Sequence, residues 1–371
     1  LAEFHVHGSH AVINAMHSAI SEVKGCRLAE PGEFTKRAFQ NGRINLLKAE
    51  SIADLIYSET EIQREQALKI MSGKSADKFN SWREKLLKIL SHVEAKIDFP
   101  DEDLPKKIIS EVKKKTNSVI AEIKKTLNDQ KVGERIREGF KIAIIGPPNS
   151  GKSSLLNYLS KRDVAIVSEI AGTTRDVIET HLNLDGYPVV LSDTAGIRNT
   201  SDTIESLGIK KSLEKAGIAN IILFLIDADA SLDNQLLELE KIKTSAGDKL
   251  LLVINKIDLN PEIKEDFKDA LFISAKKDEG IEILKERLLT FVNTEQLSNN
   301  ETIVTNLRHY EELQLTLHEI NSIINGLNSG LTGDFLAVNI RQSLFHLGSI
   351  TGEVTTDTLL GNIFGKFCIG K

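Results

Sequence analysis

Cysteine is scarce in this sequence, whose 371 residues include two, Cys26 and Cys368. So few cysteines exclude a disulfide framework and are typical of a reducing compartment. Uninterrupted apolar runs of about 18 residues are also missing, so we expect no membrane-spanning helix. No signal-peptide pattern opens the chain. We therefore expect a cytoplasmic location, with an organelle matrix as the alternative.

Basic residues are not in excess. Lysine and arginine number 47 against 53 acidic residues, and the formal net charge is −6. This balance excludes a basic coat for nucleic acid, so any such contact must be a local patch or belong to a partner. The hydrophobic fraction of 41% is enough for real cores. A chain of this length predicts about two or three domains.

Residues 146–153 read GPPNSGKS, which fits the phosphate-binding pattern G-x-x-x-x-G-K-[ST]. An apolar run of strand type at 140–145 precedes it, and helical spacing follows at 154–159. Backbone N–H groups and the helix N-terminus would surround the phosphates, Lys152 would approach the β- and γ-phosphates, and Ser153 would offer its hydroxyl to Mg²⁺. The alternative, an ordinary glycine turn, is disfavoured by this context. The pattern predicts a nucleoside triphosphate as the ligand.

The identity of the base is predicted further along the chain. Near-continuous apolar runs at 221–226 and 250–254 are typical of buried parallel strands, and the second ends in NKID at 255–258. A third short run at 271–273 ends in Ser-Ala-Lys. An aspartate such as Asp258 accepts two hydrogen bonds from guanine, whereas adenine would leave it unpaired, so the pattern favours GTP. In this order the elements resemble the base-recognition motifs of Ras-like GTPases.

The segment DTAG at 193–196 ends another strand-like run and predicts a contact to Mg²⁺ through water at Asp193 and a γ-phosphate contact at the Gly196 N–H. The next residue is Ile197, where Ras-like enzymes have a glutamine that orients water. Either hydrolysis is very slow or another group performs this role. Asn149 is a candidate for charge neutralisation at the triphosphate, since its amide oxygen would face the phosphates and hold a monovalent cation there. The alternative is a loop residue that tolerates unusual dihedral angles, and the missing glutamine favours the cation.

Several segments together resemble a known family. Asn149, IAGTTRD at 170–176 and the apolar residue after DTAG resemble the TrmE-Era-EngA class of GTPases. LAEPGEFTKRAF at 28–39, NGR at 41–43 and FCIGK at 367–371 resemble the MnmE (TrmE) family of tRNA-modification GTPases within it. By this resemblance the chain begins inside the family's N-terminal domain and lacks roughly its first seventy to eighty residues.

The resemblance implies a Ras-like α/β P-loop GTPase domain inserted in an all-α helical domain and preceded by a truncated, small α/β folate-binding domain. The corresponding divisions are an N-terminal domain (1–44), a first helical part (45–137), the G domain (138–292) and a second helical part (293–371). We expect the two helical parts to pack together, because each has an apolar stripe to bury. Residues 3–6 carry a short strand signal, a helix is expected from about residue 10 to 22, and residues 133–139 are expected to link to the G domain.

The function implied by the resemblance is K⁺-dependent GTP hydrolysis coupled to modification of the tRNA wobble uridine at C5, by carboxymethylaminomethyl or aminomethyl addition. The implied partner is the flavoprotein MnmG (GidA), in a heterotetramer. The implied cofactors are GTP, Mg²⁺, K⁺ and a tetrahydrofolate derivative, in its 5-formyl or methylene form. A homodimer through the N-terminal domain, and transiently through the G domains, is implied as well.

The resemblance also implies site residues. Mg²⁺ is assigned to Ser153 and Thr174, water positioning to Glu205, and an essential thiol to Cys368. The K⁺ ligands are Asn149, Thr173 and the backbone carbonyls of Ser168 and Ile170, and the folate-binding residues are Glu3, Arg43 and Lys371. The full GTP-binding set is Asn149, Ser150, Gly151, Lys152, Ser153, Ser154, Thr173, Thr174, Asp193, Thr194, Ala195, Gly196, Asn255, Lys256, Asp258, Ser274, Ala275 and Lys276.

Other interpretations stay open at this point. His5, His7 and His10 have a spacing that fits a metal site, although no nearby cysteine completes it and surface or pocket-lining histidines are commoner. A regulatory or ribosome-assembly GTPase would share the G-domain motifs but would not need the CIGK terminus or the PGEF segment. A scaffold with a vestigial G domain is disfavoured by the intact motif residues.

Overall fold

Helices occupy both ends of the chain, and a sheet lies between them in sequence. The computed structural model describes residues 2–98, 106–128, 130–162, 165–166, 179–193, 217–265, 267, 269–294 and 304–367. The helices before the sheet are α1 (His10–Ser21), α2 (Glu33–Gln40), α3 (Leu46–Ile56), α4 (Glu61–Met71), α5 (Lys74–Asp98), α6 (Lys106–Asn128) and α7 (Gln130–Glu138). In the described part of the chain, every helix is too short or too polar to span a bilayer.

The sheet has seven strands among the described residues, in the spatial order β2-β3-β4-β1-β5-β6-β7. The strands from β4 to β7 in this order run parallel, while β2 and β3 are antiparallel to their neighbours. The strands are β1 (Phe140–Ile145), β2 (Ala165–Ile166), β3 (Glu179–Leu184), β4 (Tyr187–Asp193), β5 (Ile221–Asp227), β6 (Leu250–Asn255) and β7 (Leu271–Phe272). Helices α8 (Lys152–Arg162), α9 (Leu232–Ala246) and α10 (Ile281–Thr294) and the 3₁₀ turns Gly247–Lys249 and Pro261–Glu265 connect them.

The central strands confirm the prediction from their apolar runs. Every residue of β5 is buried, because helices cover both faces of a parallel sheet. Two core clusters lie on opposite faces, one built around Leu155 and Leu284 and the other around Phe224 and Ile242. The sheet is therefore a rigid platform for the loops that follow its strands.

After the sheet come α11 (Leu307–Ser329), α12 (Gly333–Thr351) and α13 (Asp357–Phe364). One core joins α11 and α12 to α5 and α6, with Trp82 and Ile123 packed in the same cluster as Ile320 and Ile340. This confirms that the two helical parts bury their apolar stripes against each other.

A buried ionic cluster adds to this packing. Glu50 on α3 is 6% exposed and accepts hydrogen bonds from Arg308 Nη2 at 2.9 Å and from His309 Nε2 at 2.7 Å. Burial opposes ionisation of Glu50, but His309 and Arg308 more than offset it and lower its pKa to about 2. Burial also lowers the pKa of His309, although the negative charge of Glu50 opposes that shift.

Side chains on α3 and α4 connect this cluster to α7, the helix that precedes β1. Asp54, one turn beyond Glu50, accepts from Arg137 Nε at 2.7 Å, and Gln63 Nε2 donates to the Arg137 carbonyl at 3.1 Å. Gln66 Nε2 donates to the Gly133 carbonyl at 3.1 Å. The segment 133–139, which was expected to link to the G domain, is largely helix α7, and side chains of α3 and α4 contact it from one side.

The prediction of a strand at residues 3–6 is wrong. Residues 2–9 lie outside any helix or strand and are exposed, because no neighbouring strand pairs with them in the described residues. The helix that follows was predicted correctly: α1 begins at His10, with Ser9 as its N-cap. This helix buries none of its residues.

Candidate functional site

The candidate site lies where β1, β5 and β6 end. These neighbouring strands are parallel, so their carboxyl ends and the following loops share one edge of the sheet. Asp227 and Asn255, the last residues of β5 and β6, are register partners. On the other side of β1, Asp193 closes β4 and is the register partner of Ile144. The topology thereby gathers three motif segments that are far apart in sequence.

The phosphate loop between β1 and α8 depends on its two glycines. Gly146 has φ 149°, and a Cβ there would lie 2.3 Å from the Leu225 carbonyl oxygen. Gly151 has φ 94°, and its Cβ would lie 2.1 Å from Asn255 Nδ2. Any side chain at either position would push the loop off β5 or β6. The loop therefore lies close to the β5 backbone at Gly146 and to the Asn255 side chain at Gly151. It forms a narrow glycine cradle at the N-terminus of α8, where N–H groups favour an anion.

Lys152 folds over this loop. Its ammonium donates to the carbonyl oxygens of Gly146 at 2.7 Å and Pro147 at 2.6 Å, and the side chain is buried. Asn149 has φ 65° and is exposed, so its amide projects from the loop apex. Ser153 and Ser154 lie exposed in the first turn of α8.

Asn255 connects the phosphate loop to the loop after β7. Its Nδ2 donates to the Ser150 carbonyl at 2.9 Å, and its Oδ1 accepts from the Ala275 N–H at 3.1 Å. The side chain is 2% exposed. A buried amide with its donor and acceptor both satisfied fixes the distance between the two loops.

Asp258 is arranged as a hydrogen-bond acceptor. Ser274 Oγ donates to its Oδ1 at 2.7 Å, and Lys277 Nζ lies 3.7 Å from its Oδ2. The Ser274 hydroxyl lowers the pKa of the Asp258 carboxyl, with smaller contributions from its own backbone N–H and from Lys277 and Lys276. The group is therefore ionised at neutral pH and suited to accept a pair of N–H donors from a base.

Two contacts at this site carry no motif signal. Lys256, with φ 64°, places its ammonium 2.5 Å from Asp227 Oδ2. Tyr158 on α8 donates to Asp278 in the loop after β7. Asp227 ends β5 directly beside the NKID loop, so the pairing of β5 with β6 indicates the contact between Lys256 and Asp227. That pairing is known only from the fold, and the sequence did not predict the contact.

Several predicted site residues lie outside the described part of the chain. These are Ser168, Ile170, Thr173, Thr174, Thr194, Ala195, Gly196, Glu205, Cys368 and Lys371. The described GTP-binding residues all lie at one edge of the sheet: in the loop after β1 and the first turn of α8, at the end of β6 and in the loops after β6 and β7, with Asp193 at the end of β4.

Two of the predicted folate residues, Glu3 and Arg43, lie in the described part of the chain, and no hydrogen bond or ion pair joins them there. Arg43 and Arg37 line a surface cleft of about 490 Å³ at the end of α2. Glu3 is exposed and its carboxylate lies 3.8 Å from His5 Nε2. Nor does the described part of the chain contain a group of three or more potential metal ligands, so the histidines near the N-terminus do not form the alternative metal site there.

Comparisons with known proteins agree with this geometry. Residues 46–368 match the MnmE helical domain family, and residues 1–43 match the family described as GTP-binding protein TrmE N-terminus. The chain is 57% identical to the tRNA modification GTPase MnmE of Pelagibacter ubique, over all of this chain and 83% of that protein. Its identity to the MnmE of Christiangramia forsetii is 44%, over 94% of this chain and 78% of that protein.

The chain is also similar to several solved structures over part of its length. Era of Aquifex aeolicus is 26% identical over 48% of this chain and 66% of that chain, with a TM-score of 0.33. The family assignment itself comes from the two family matches and the sequence relatives, which span the whole chain. The chain belongs to the MnmE family of tRNA modification GTPases.

Proposed function

We propose that this chain hydrolyses GTP and that hydrolysis drives a modification of tRNA. One observation carries the proposal: the Asn255 side chain joins the phosphate loop at Ser150 to the base-side loop at Ala275. A nucleotide with its phosphates in the glycine cradle would then have its base beside the ionised Asp258. The carboxylate selects guanine because adenine offers it no matching pair of donors.

The residues for phosphate binding fit this assignment. A Cβ at Gly146 or Gly151 would clash with β5 or β6, so only glycine allows the loop this close. The Lys152 ammonium is hydrogen-bonded to two loop carbonyls, and it can exchange these for a phosphate. Ser153 and Thr174 would hold Mg²⁺, which neutralises phosphate charge when bound. Asp193 would act from the end of β4.

We further propose that Asn149 supplies charge neutralisation at a site that Ile197 leaves short of catalytic groups. In the described residues no hydrogen bond engages the Asn149 side chain, which is exposed on a backbone with φ 65°. A K⁺ ion held there, with Thr173 and the carbonyls of Ser168 and Ile170, would stabilise charge that develops in the transition state. Glu205 would position water.

The finer chemistry belongs to the same proposal. The target is C5 of the wobble uridine, the partner is MnmG, and the one-carbon donor is a tetrahydrofolate derivative near Arg43. Cys368 would be the thiol of that centre, and the domain division at 44, 137 and 292 separates it from the G domain. A homodimer completes the assembly. Since its substrates are tRNA and GTP, we place the reaction in the cytoplasm.

Calorimetry with GTP and ATP tests the central step. The chain should bind GTP and show no comparable affinity for ATP. Asp258→Asn should shift the preference toward xanthosine nucleotides, because the amide pairs with their 2-oxo group. Equal affinity of the unsubstituted chain for ATP and GTP would contradict the base assignment.

Turnover in matched K⁺ and Na⁺ salts tests the cation. Hydrolysis should require K⁺, and Asn149→Ala should slow it while leaving nucleotide affinity nearly unchanged, as expected for an interaction made mainly in the transition state. Equal rates in both salts would refute this part and leave GTP specificity intact.

A further inference from the structure

Lys256 has a backbone conformation that its residue type disfavours. Its φ of 64° lies in the left-handed region, which a lysine keeps only where its surroundings fix it. The residue stands between Asn255 and Asp258, so its conformation sets the direction in which the base-side loop leaves β6. Whatever fixes Lys256 therefore also sets the position of Asp258.

The side chain of Lys256 is paired with Asp227. The Lys256 ammonium lies 2.5 Å from Asp227 Oδ2, and the Asp227 side chain is 9% exposed against 33% for Lys256. The other carboxylate oxygen, Oδ1, accepts from the Asp229 N–H at 3.0 Å. With both oxygens engaged and the group largely buried, the carboxylate has one orientation.

The backbone of Asp227 is held as well. Its N–H donates to Gln235 Oε1 at 2.8 Å, and Gln235 Nε2 donates back to the Asp227 carbonyl at 3.0 Å. Gln235 is 4% exposed on α9. Beside it, the Ala228 N–H donates to the Asn255 carbonyl at 2.9 Å. The end of β5 is thus attached both to α9 and to the loop that carries the base-recognition motif.

We propose that Asp227 is a positioning residue for guanine recognition, whose carboxylate holds Lys256 and with it the loop that bears Asp258. This inference rests on the proposed binding of GTP. Asp227 follows β5 and no contact joins it to the phosphate loop in the described residues. Its loss should therefore weaken nucleotide affinity and leave turnover of bound GTP unchanged.

The test is Asp227→Asn in the full chain, which removes the charge with little change of shape. The Kd for a fluorescent GDP derivative and the KM for GTP should both rise about tenfold, while kcat stays within about twofold. In a chain that already carries Lys256→Met, Asp227→Asn should change Kd by less than about twofold, because its effect passes through Lys256. A residue with a merely structural role would lower thermal stability and would not show this dependence.

Asp229→Asn is the matched control, the same exchange two residues along at an exposed carboxylate, and it should leave Kd within about twofold of the unsubstituted chain. Should Asp227→Asn fail to fold, Asp227→Glu takes its place, since it keeps the charge but displaces the carboxylate; Kd should rise in the otherwise unsubstituted chain and change by less than about twofold in the Lys256→Met chain. The inference is overturned if Asp227→Asn leaves Kd unchanged, or if it raises Kd by the same factor with and without Lys256→Met. Either result leaves the proposed binding of GTP standing. If the unsubstituted chain binds GDP no better than ADP, the proposed function fails and this inference fails with it.

Discussion

Replacing Glu50 by glutamine should strongly destabilise the helical domain. The carboxylate is buried between Arg308 and His309, and it links α3 to the start of α11. Arg308 also donates to the Ser349 carbonyl at 2.8 Å near the end of α12. Glu50→Gln removes the negative charge and leaves the guanidinium, which is 15% exposed, without its counter-charge.

Two estimates of the magnitude agree. Removing one partner of a buried ion pair typically costs about 3–5 kcal/mol. The lowering of the Glu50 pKa from 4.5 to about 2 corresponds to roughly 3 kcal/mol. The glutamine keeps an acceptor oxygen, so we expect a loss of about 3 kcal/mol in the free energy of unfolding. With a urea m-value of about 2 kcal/mol/M, the midpoint should fall by about 1.5 M.

Urea unfolding followed by tryptophan fluorescence measures this loss. Trp82 is the one tryptophan of the chain and lies fully buried in the helical core, so its emission reports that domain. Glu94→Gln is the control, since Glu94 pairs with Arg341 at 2.7 Å between two exposed side chains. That exchange should cost at most about 1 kcal/mol. Equal losses for the two variants would refute the reasoning.

Acid should reproduce the effect without a substitution. Because the folded pKa of Glu50 is depressed, its contribution is fully present above the unfolded value of about 4.3 and is lost as the pH falls toward 2. The lowered pKa of His309 adds a loss that begins below about pH 6.5, where the unfolded chain takes up a proton first. The difference between Glu50→Gln and the unsubstituted chain should therefore shrink as the pH approaches 2.

Two further predictions concern the nucleotide site and the C-terminus. Gly151→Ala should weaken GDP binding at least about tenfold in a fluorescence titration, because the new Cβ would lie 2.1 Å from Asn255 Nδ2. Gly361→Ala is the control: a Cβ there would lie in open space on α13, so GDP binding should be unchanged. Cys368→Ser, supplied in full-length form to a deletion strain, should leave GTP hydrolysis near normal yet fail to restore the modified wobble uridine in mass spectra of tRNA nucleosides. Normal amounts of the nucleoside would show that this thiol is idle.

The elements that were predicted correctly are those with a strong local signal. β1 was expected at 140–145 and is observed there, because an apolar run before a glycine loop leaves few alternatives. The N-terminal strand was predicted wrongly, and the helical form of the segment 133–139 was not predicted, for a common reason. A strand needs a neighbour to pair with, and α7 depends on side chains such as Gln66 that lie 67 residues away.

The sequence by itself determined the ligand class and the family, because a phosphate loop needs glycines at fixed spacing and guanine needs a carboxylate after a strand. Tertiary structure decided which groups meet. Glu50 and Arg308 are 258 residues apart, and Asp227 reaches Lys256 only because β5 and β6 are neighbours in the sheet. A local motif can be recognised because its residues are close together in the sequence. The partner of a buried charge is set by the packing of distant segments, so the sequence alone does not identify it.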